Sequence, residues 1–218
     1  MKPRVNLVLS SAMLLALVVG LSGCKTVYYG ALEKVGVHKR DILVDRVEDA
    51  RDEQEEAKER FKSALEKFME VTQFSGGSLE VKYNELKEEY ESSQEKAETV
   101  GKRISDVESV AEDLFAEWDK ELEQYTSKKL RDSSRRQLVD TQVRYSQLMG
   151  AMRRAETKIQ PVLNIFRDQV LFLKHNLNAR AIASLKTELA SIETEIGQLI
   201  KEMELSINEA DEFISEMK

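Results

Sequence analysis

From Asp41 to the C-terminus, apolar residues recur at alternating steps of three and four, and this pattern limits the chain to long helices joined along narrow seams. The first seam runs Leu43, Val47, Ala50, Gln54, Ala57, Phe61, Ala64, Phe68 and Val71, with Gln54 its one polar member, and stops at Ser75-Gly76-Gly77-Ser78. A second follows from Leu79 through Leu86, Val100, Ile104 and Leu114 to Trp118, Glu121 and Tyr125, and predicts one helix of roughly fifty residues. Arg131-Asp132-Ser133-Ser134 is the next expected break, because Ser134 with Gln137 three residues on fits a capping box. The third seam carries Leu138, Leu148, Met152, Ile159, Val162, Phe166 and Leu173, with Pro161 inside it as a predicted kink or split. Asn176 and Asn178 then bracket a tight reversal into the fourth seam, which runs from Ile182 to Met217 and is polar only at Ser206.

Two prolines and nine glycines cannot supply the turns of a sandwich, a barrel or a doubly wound sheet. Charged residues make up 33% and aromatics 6%, the profile of long helices sharing apolar stripes. The fold class is therefore all-α: residues 41–218 form an elongated antiparallel bundle or coiled coil of about four long helices, up-down-up-down. Nearly all-round apolar character from Val162 to Leu173 predicts a four-helix core at the end away from the chain's start, with a thinner, more solvated coil at the other end.

The first residues are a separate unit. Lys2 and Arg4 precede an uncharged run from Val5 to Leu21, which reads as an export signal over residues 1–23. It ends Leu21-Ser22-Gly23-Cys24, the arrangement of a lipobox, in which small residues admit the peptidase and the cysteine thiol takes up diacylglycerol. A membrane-spanning anchor is the plain alternative, but the run of about 17 residues stands at the short limit for crossing a bilayer. Cys24 is also the one cysteine, so a disulfide framework and a thiolate metal site are excluded. Residues 24–40 would then be a lipidated, palmitoylated N-terminus and tether. Lys25 stands where an aspartate would retain a lipoprotein at the inner membrane, which predicts the periplasmic face of the outer membrane. Loss of Lys2 and Arg4 from 33 basic groups leaves 31 against 40 acidic ones, and that net negative charge disfavours nucleic acid.

Two stretches, YYGALEKVGVHKRDIL over 28–43 and FRDQVLFLKHNLNARAIASL over 166–185, carry a family resemblance. They resemble the best-marked segments of proteobacterial lipoproteins grouped as domain of unknown function 2959, and the likeness extends over the whole mature chain. It implies a helical, coiled-coil-containing envelope lipoprotein and brings no catalytic residue with it.

Three constellations bear on chemistry. His38 and His175 are the two histidines, and a carboxylate-bridged di-metal site needs a glutamate three residues before each; those positions hold Val35 and Phe172, so no metal or other cofactor is expected. Arg167, Asp168, Lys174, His175, Asn176 and Arg180 form a polar cluster beside the most apolar part of the chain. It is either a docking or small-ligand surface, or an ion pair and two asparagines that close a turn. Lys128, Lys129, Arg131, Arg135 and Arg136 set five cations against one acid, Asp132. The first three are expected to complement the C-terminal dipole of the second helix, whereas Arg135 and Arg136 fall in the first turn of the third, where positive charge is unfavourable. Direction along the bundle brings this tip toward the lipid, so contact with anionic headgroups or an acidic partner stands against a merely solvated turn.

No nucleophile-base pair and no phosphate-cradling glycine pattern is present, so the chain is read as a non-enzymatic scaffold or adaptor with an unidentified protein partner. A ligand-binding or enzymatic module in the distal four-helix region is the competing class. A polar pocket there would favour it.

Overall fold

Serine and asparagine caps set where the helices begin. The structure, a computed structural model, describes residues 38–218, which form four helices: α1 (Lys39–Thr72), α2 (Leu79–Leu122), α3 (Lys128–His175) and α4 (Ala179–Met217). Ser78 holds an extended backbone and its hydroxyl accepts from Val81 N–H; Ser127 does the same for Leu130, and Asn178 Oδ1 accepts from the N–H groups of Arg180 and Ala181. Each satisfies donors that the first helical turn leaves without a partner. Between α1 and α2, Gly77 takes φ of 103°, a left-handed conformation open to glycine and strained for side chains with a Cβ.

Residues Leu43–Lys218 form one compact unit. Within it, cross-helix ion pairs and hydrogen bonds join the four helices in a closed ring. Asp49–Arg103 and Glu70–Lys82 tie α1 to α2, and Glu108–Arg153 ties α2 to α3. Lys158–Gln198 and Arg154–Glu202 tie α3 to α4, and Arg51–Asp211 with Glu48–Lys218 returns α4 to α1. In every pair the numbers rise on one helix as they fall on the other, so all neighbours are antiparallel. The fold is an all-α antiparallel bundle, as the seams require.

Burial follows the seams closely on α1. All nine seam residues, Gln54 among them, have no solvent exposure, and Phe61 and Phe68 are among the largest side chains sealed inside. On α4, Ile182, Leu185, Ile192, Ile196, Leu199, Met203, Ser206, Ala210 and Phe213 are buried, spaced by three or four residues except where half-buried Leu189 stands between Leu185 and Ile192. At about 25 cal/mol per Å² of apolar surface, this continuous stripe is what holds polar helices of 34 to 48 residues together.

Three expectations are corrected. The turn between the second and third helices lies at 123–127, with Ser127 as the cap, and α2 is 44 residues long. Ser134 is interior to α3 because its hydroxyl accepts the indole N–H of Trp118 at 2.8 Å; a seryl acceptor needed by a half-buried tryptophan imitated a capping box. Near the turn the seam leaves Glu121 and Tyr125 exposed and takes Leu122 into the core.

Pro161 does not split the third helix. It sits on an exposed face, so the Thr157 carbonyl that lacks its helical donor faces water, and α3 continues for 48 residues.

Nor is the distal part of α3 covered on all sides. Val162, Leu163, Phe166, Val170 and Leu173 are buried, but Leu171 is 53% and Phe172 40% exposed. The core also runs the whole length of the ring: Leu43 and Val47 at the near end of α1 are as deeply buried as Phe68 and Val71 at the far end.

Candidate functional site

Cys24 lies outside the described residues. Among the described residues no helix is long and apolar enough to cross a membrane, and no group of three or more His, Cys, Asp or Glu side chains could hold a metal ion.

The polar cluster at the far end resolves into local roles. Arg167 and Asp168 meet at 3.4 Å, both largely exposed. Asn176 Nδ2 donates to the Phe172 carbonyl at 2.8 Å while its backbone N–H reaches Leu173, which closes α3. Asn178 opens α4, and Arg180 takes part through its backbone N–H. Lys174 and His175 occupy the last turn of α3, where positive charge complements the helix dipole. Lys174, His175, Asn176 and Arg180 are brought together as helix ends, with Arg167 and Asp168 about two turns back along α3.

Arg167 has a second setting. It lines a groove of about 460 Å³ between α2 and α3 with Tyr90, Glu98, Gly101, Glu156 and Gln160. A Cβ at Gly101 would lie 3.1 Å from Glu156 Oε1, so a side chain there would require that carboxylate to give by a few tenths of an ångström. Glu156 is itself engaged, accepting from Arg153 at 2.6 Å, and Arg153 Nε also donates to Glu108 at 3.1 Å. Glu108 is the main reason the Arg153 guanidinium is held more firmly protonated than usual. Beside it the Tyr145 phenol is pushed up to about 12, first by burial and then by the nearby charges of Glu108 and Glu112. A phenol held neutral over the physiological range and packed edge-on to Phe115 at 5.3 Å serves packing rather than proton transfer.

The five cations of the tip are placed differently from expectation. All of Lys128, Lys129, Arg131, Arg135 and Arg136 lie in the first turns of α3, which begins at Lys128, and no acidic residue stands in its first turn. The C-terminal dipole of α2 therefore does not account for Lys128, Lys129 and Arg131, which sit in the first turn at the positive end of α3, while Arg135 and Arg136 lie beyond that turn. Among the described residues none of the five forms a hydrogen bond or ion pair through its side chain, whereas most cations on α1 and several on α2 do.

The core contains its own polar feature. Gln54, Ser93 and Ser206, one on each of three helices, have no solvent exposure, and neither the Gln54 amide atoms nor the two hydroxyls meet a hydrogen-bond partner among the described residues. Each is a seam position, so periodicity alone located them. Their lack of partners was visible only in three dimensions.

No curated protein and no solved structure matches this chain. One family profile does, described as a protein of unknown function (DUF2959), and it covers residues 28–217, which includes all four helices and both stretches singled out in the sequence. The chain belongs to that DUF2959 family.

Proposed function

We propose that this protein is a lipoprotein of the outer membrane, anchored on the periplasmic face through Cys24 and acting as a non-catalytic coiled-coil scaffold or adaptor. The observation that carries this reading is the use of the interior: seam side chains fill the bundle from Leu43 to Val71 on α1, and pairs such as Arg51–Asp211, Lys96–Glu53 and Arg103–Asp49 tie its helices together on the outside. A rod of this kind offers length and surface rather than a reaction chamber. The lipobox-like Leu21-Ser22-Gly23-Cys24 supplies the tether, and Lys25 the sorting signal for the outer membrane.

The test has two parts. Cys24→Ser is expected to accumulate as a precursor that keeps residues 1–23 and fails to partition with detergent; normal maturation of the variant would remove the anchor from the account. In-cell photocrosslinking from exposed positions along α3 and α4 is expected to trap a discrete protein partner on a scaffold.

The groove between α2 and α3 favours one further reading, a small-ligand site, because it brings Tyr90, two glutamates and Arg167 around one opening. A molecule that copurifies with the protein and is lost on Arg167→Ala would support it.

A further inference from the structure

The first three turns of α3 combine two features. Successive residues turn by roughly 100° around a helix, so Lys128, Asp132, Arg135, Arg136 and Val139 share one face. Ser134 and Tyr145 mark the opposite side, since both contact α2 through Trp118 and Phe115. The shared face therefore looks outward. Val139 on it is 51% exposed, and Leu130 at the tip is 58% exposed beside Lys128 and Lys129. Unpaired cations flanking exposed aliphatic side chains fit a surface that is anionic outside and apolar beneath.

The neighbouring acids define its limits. Asp119, Glu121 and Glu123 close α2, which packs behind α3, so they stand about one helix spacing from the outward face, close to a Debye length at physiological salt. Toward the middle of α3 the stripe ends at Val143, which borders Glu209, Glu212 and Glu216 of α4. An anionic surface is thus attracted along three turns and repelled beyond them. The tip also lies at the end of the bundle where Lys218 meets Glu48.

We propose that this outward face, with Lys128, Lys129, Arg135, Arg136, Leu130 and Val139, docks on an anionic phospholipid surface, whereas Arg131, half-buried on the side of Ser134 and Leu138, takes no part. The cations would meet headgroup phosphates, and the two aliphatic side chains would enter the interfacial layer. The proposal rests on the anchored reading above for the membrane being at hand, and it is tested without the anchor, so that the two fail separately.

The chain from residue 24 carrying Cys24→Ser is floated with vesicles of phosphatidylcholine alone and of phosphatidylcholine mixed with phosphatidylglycerol. Binding is expected only with the anionic mixture, falling with salt, and about fivefold weaker for each outward cation changed to Gln. Changing the four outward cations, Lys128, Lys129, Arg135 and Arg136, together should abolish flotation. A matched variant with Lys102, Lys174, Lys186 and Lys201 changed to Gln removes the same charge elsewhere and should float like the parent. Circular dichroism of both variants confirms that each remains folded. Equal loss in the two variants, equal binding to neutral vesicles, or no flotation at low salt would overturn the proposal. So would sedimentation with purified peptidoglycan in place of vesicles, which would assign the tip to an acidic wall polymer.

Discussion

The body of the bundle and the first turns of α3 use the same side chains in opposite ways. On α1 and α2, Arg51, Lys67, Lys82, Lys96 and Arg103 each reach a carboxylate on another helix. At the start of α3 five cations reach none among the described residues, at a helix end where positive charge is unfavourable. Paired charges at exposed positions contribute little stability, but their spacing favours one antiparallel register over its slipped alternatives. Unpaired charges at a helix N-terminus favour neither fold nor register. The contrast separates charge that specifies the bundle from charge that is free to face something outside it.

The comparison breaks first in the core. Leu185 is 1% exposed on the α4 seam, and Leu185→Asp places an unpaired carboxylate there, with an expected loss on the order of 4 kcal/mol in urea unfolding. A small effect would show that α4 does not pack as described. Gln54→Met keeps the length of the side chain and removes two buried polar atoms without partners, so it is expected to stabilise by about 2 kcal/mol. If stability falls instead, buried water or a specific partner satisfies the amide.

Charge effects are smaller. Lys82, then Lys67, hold the Glu70 carboxyl below its usual range, and Lys82 does the same for Glu85. A depressed carboxylate contributes above its unfolded value and loses that contribution as pH falls through the lower folded one. Lys82→Gln should therefore lower the thermal midpoint slightly at neutral pH, and the difference should vanish under acid conditions or in high salt. A difference that persists in acid would point to lost packing by the lysine stem. Least of all, Arg135→Gln with Arg136→Gln should leave the midpoint unchanged, since both side chains are exposed, lie beyond the first turn of α3 and meet no partner among the described residues. A clear drop would mean that the tip cations are structural after all.

Sequence periodicity located the α1 seam residue by residue because one long amphipathic helix has a single buried stripe, and Gln54 stood out as its polar interruption. The boundary after α2 was misplaced because Ser134 and Gln137 imitate a cap, while the true cap at Ser127 follows a stretch with no apolar period to end. Other features needed the ring itself. Arg153 meets Glu108 across 45 positions, and Arg167 meets Tyr90 in a groove, through an axial register that no local pattern encodes. The unpaired state of the five tip cations was hidden for the same reason, since a carboxylate on any neighbour could have reached them.

The proposed function rests on the lone cysteine as the point of attachment, and the intact mass of the protein extracted from membranes tests it most directly. The expected species begins at Cys24 and is heavier than the chain 24–218 by a diacylglyceryl group and an amide-linked acyl chain. A mass that retains residues 1–23, or a mature chain whose Cys24 is unmodified, would contradict the account.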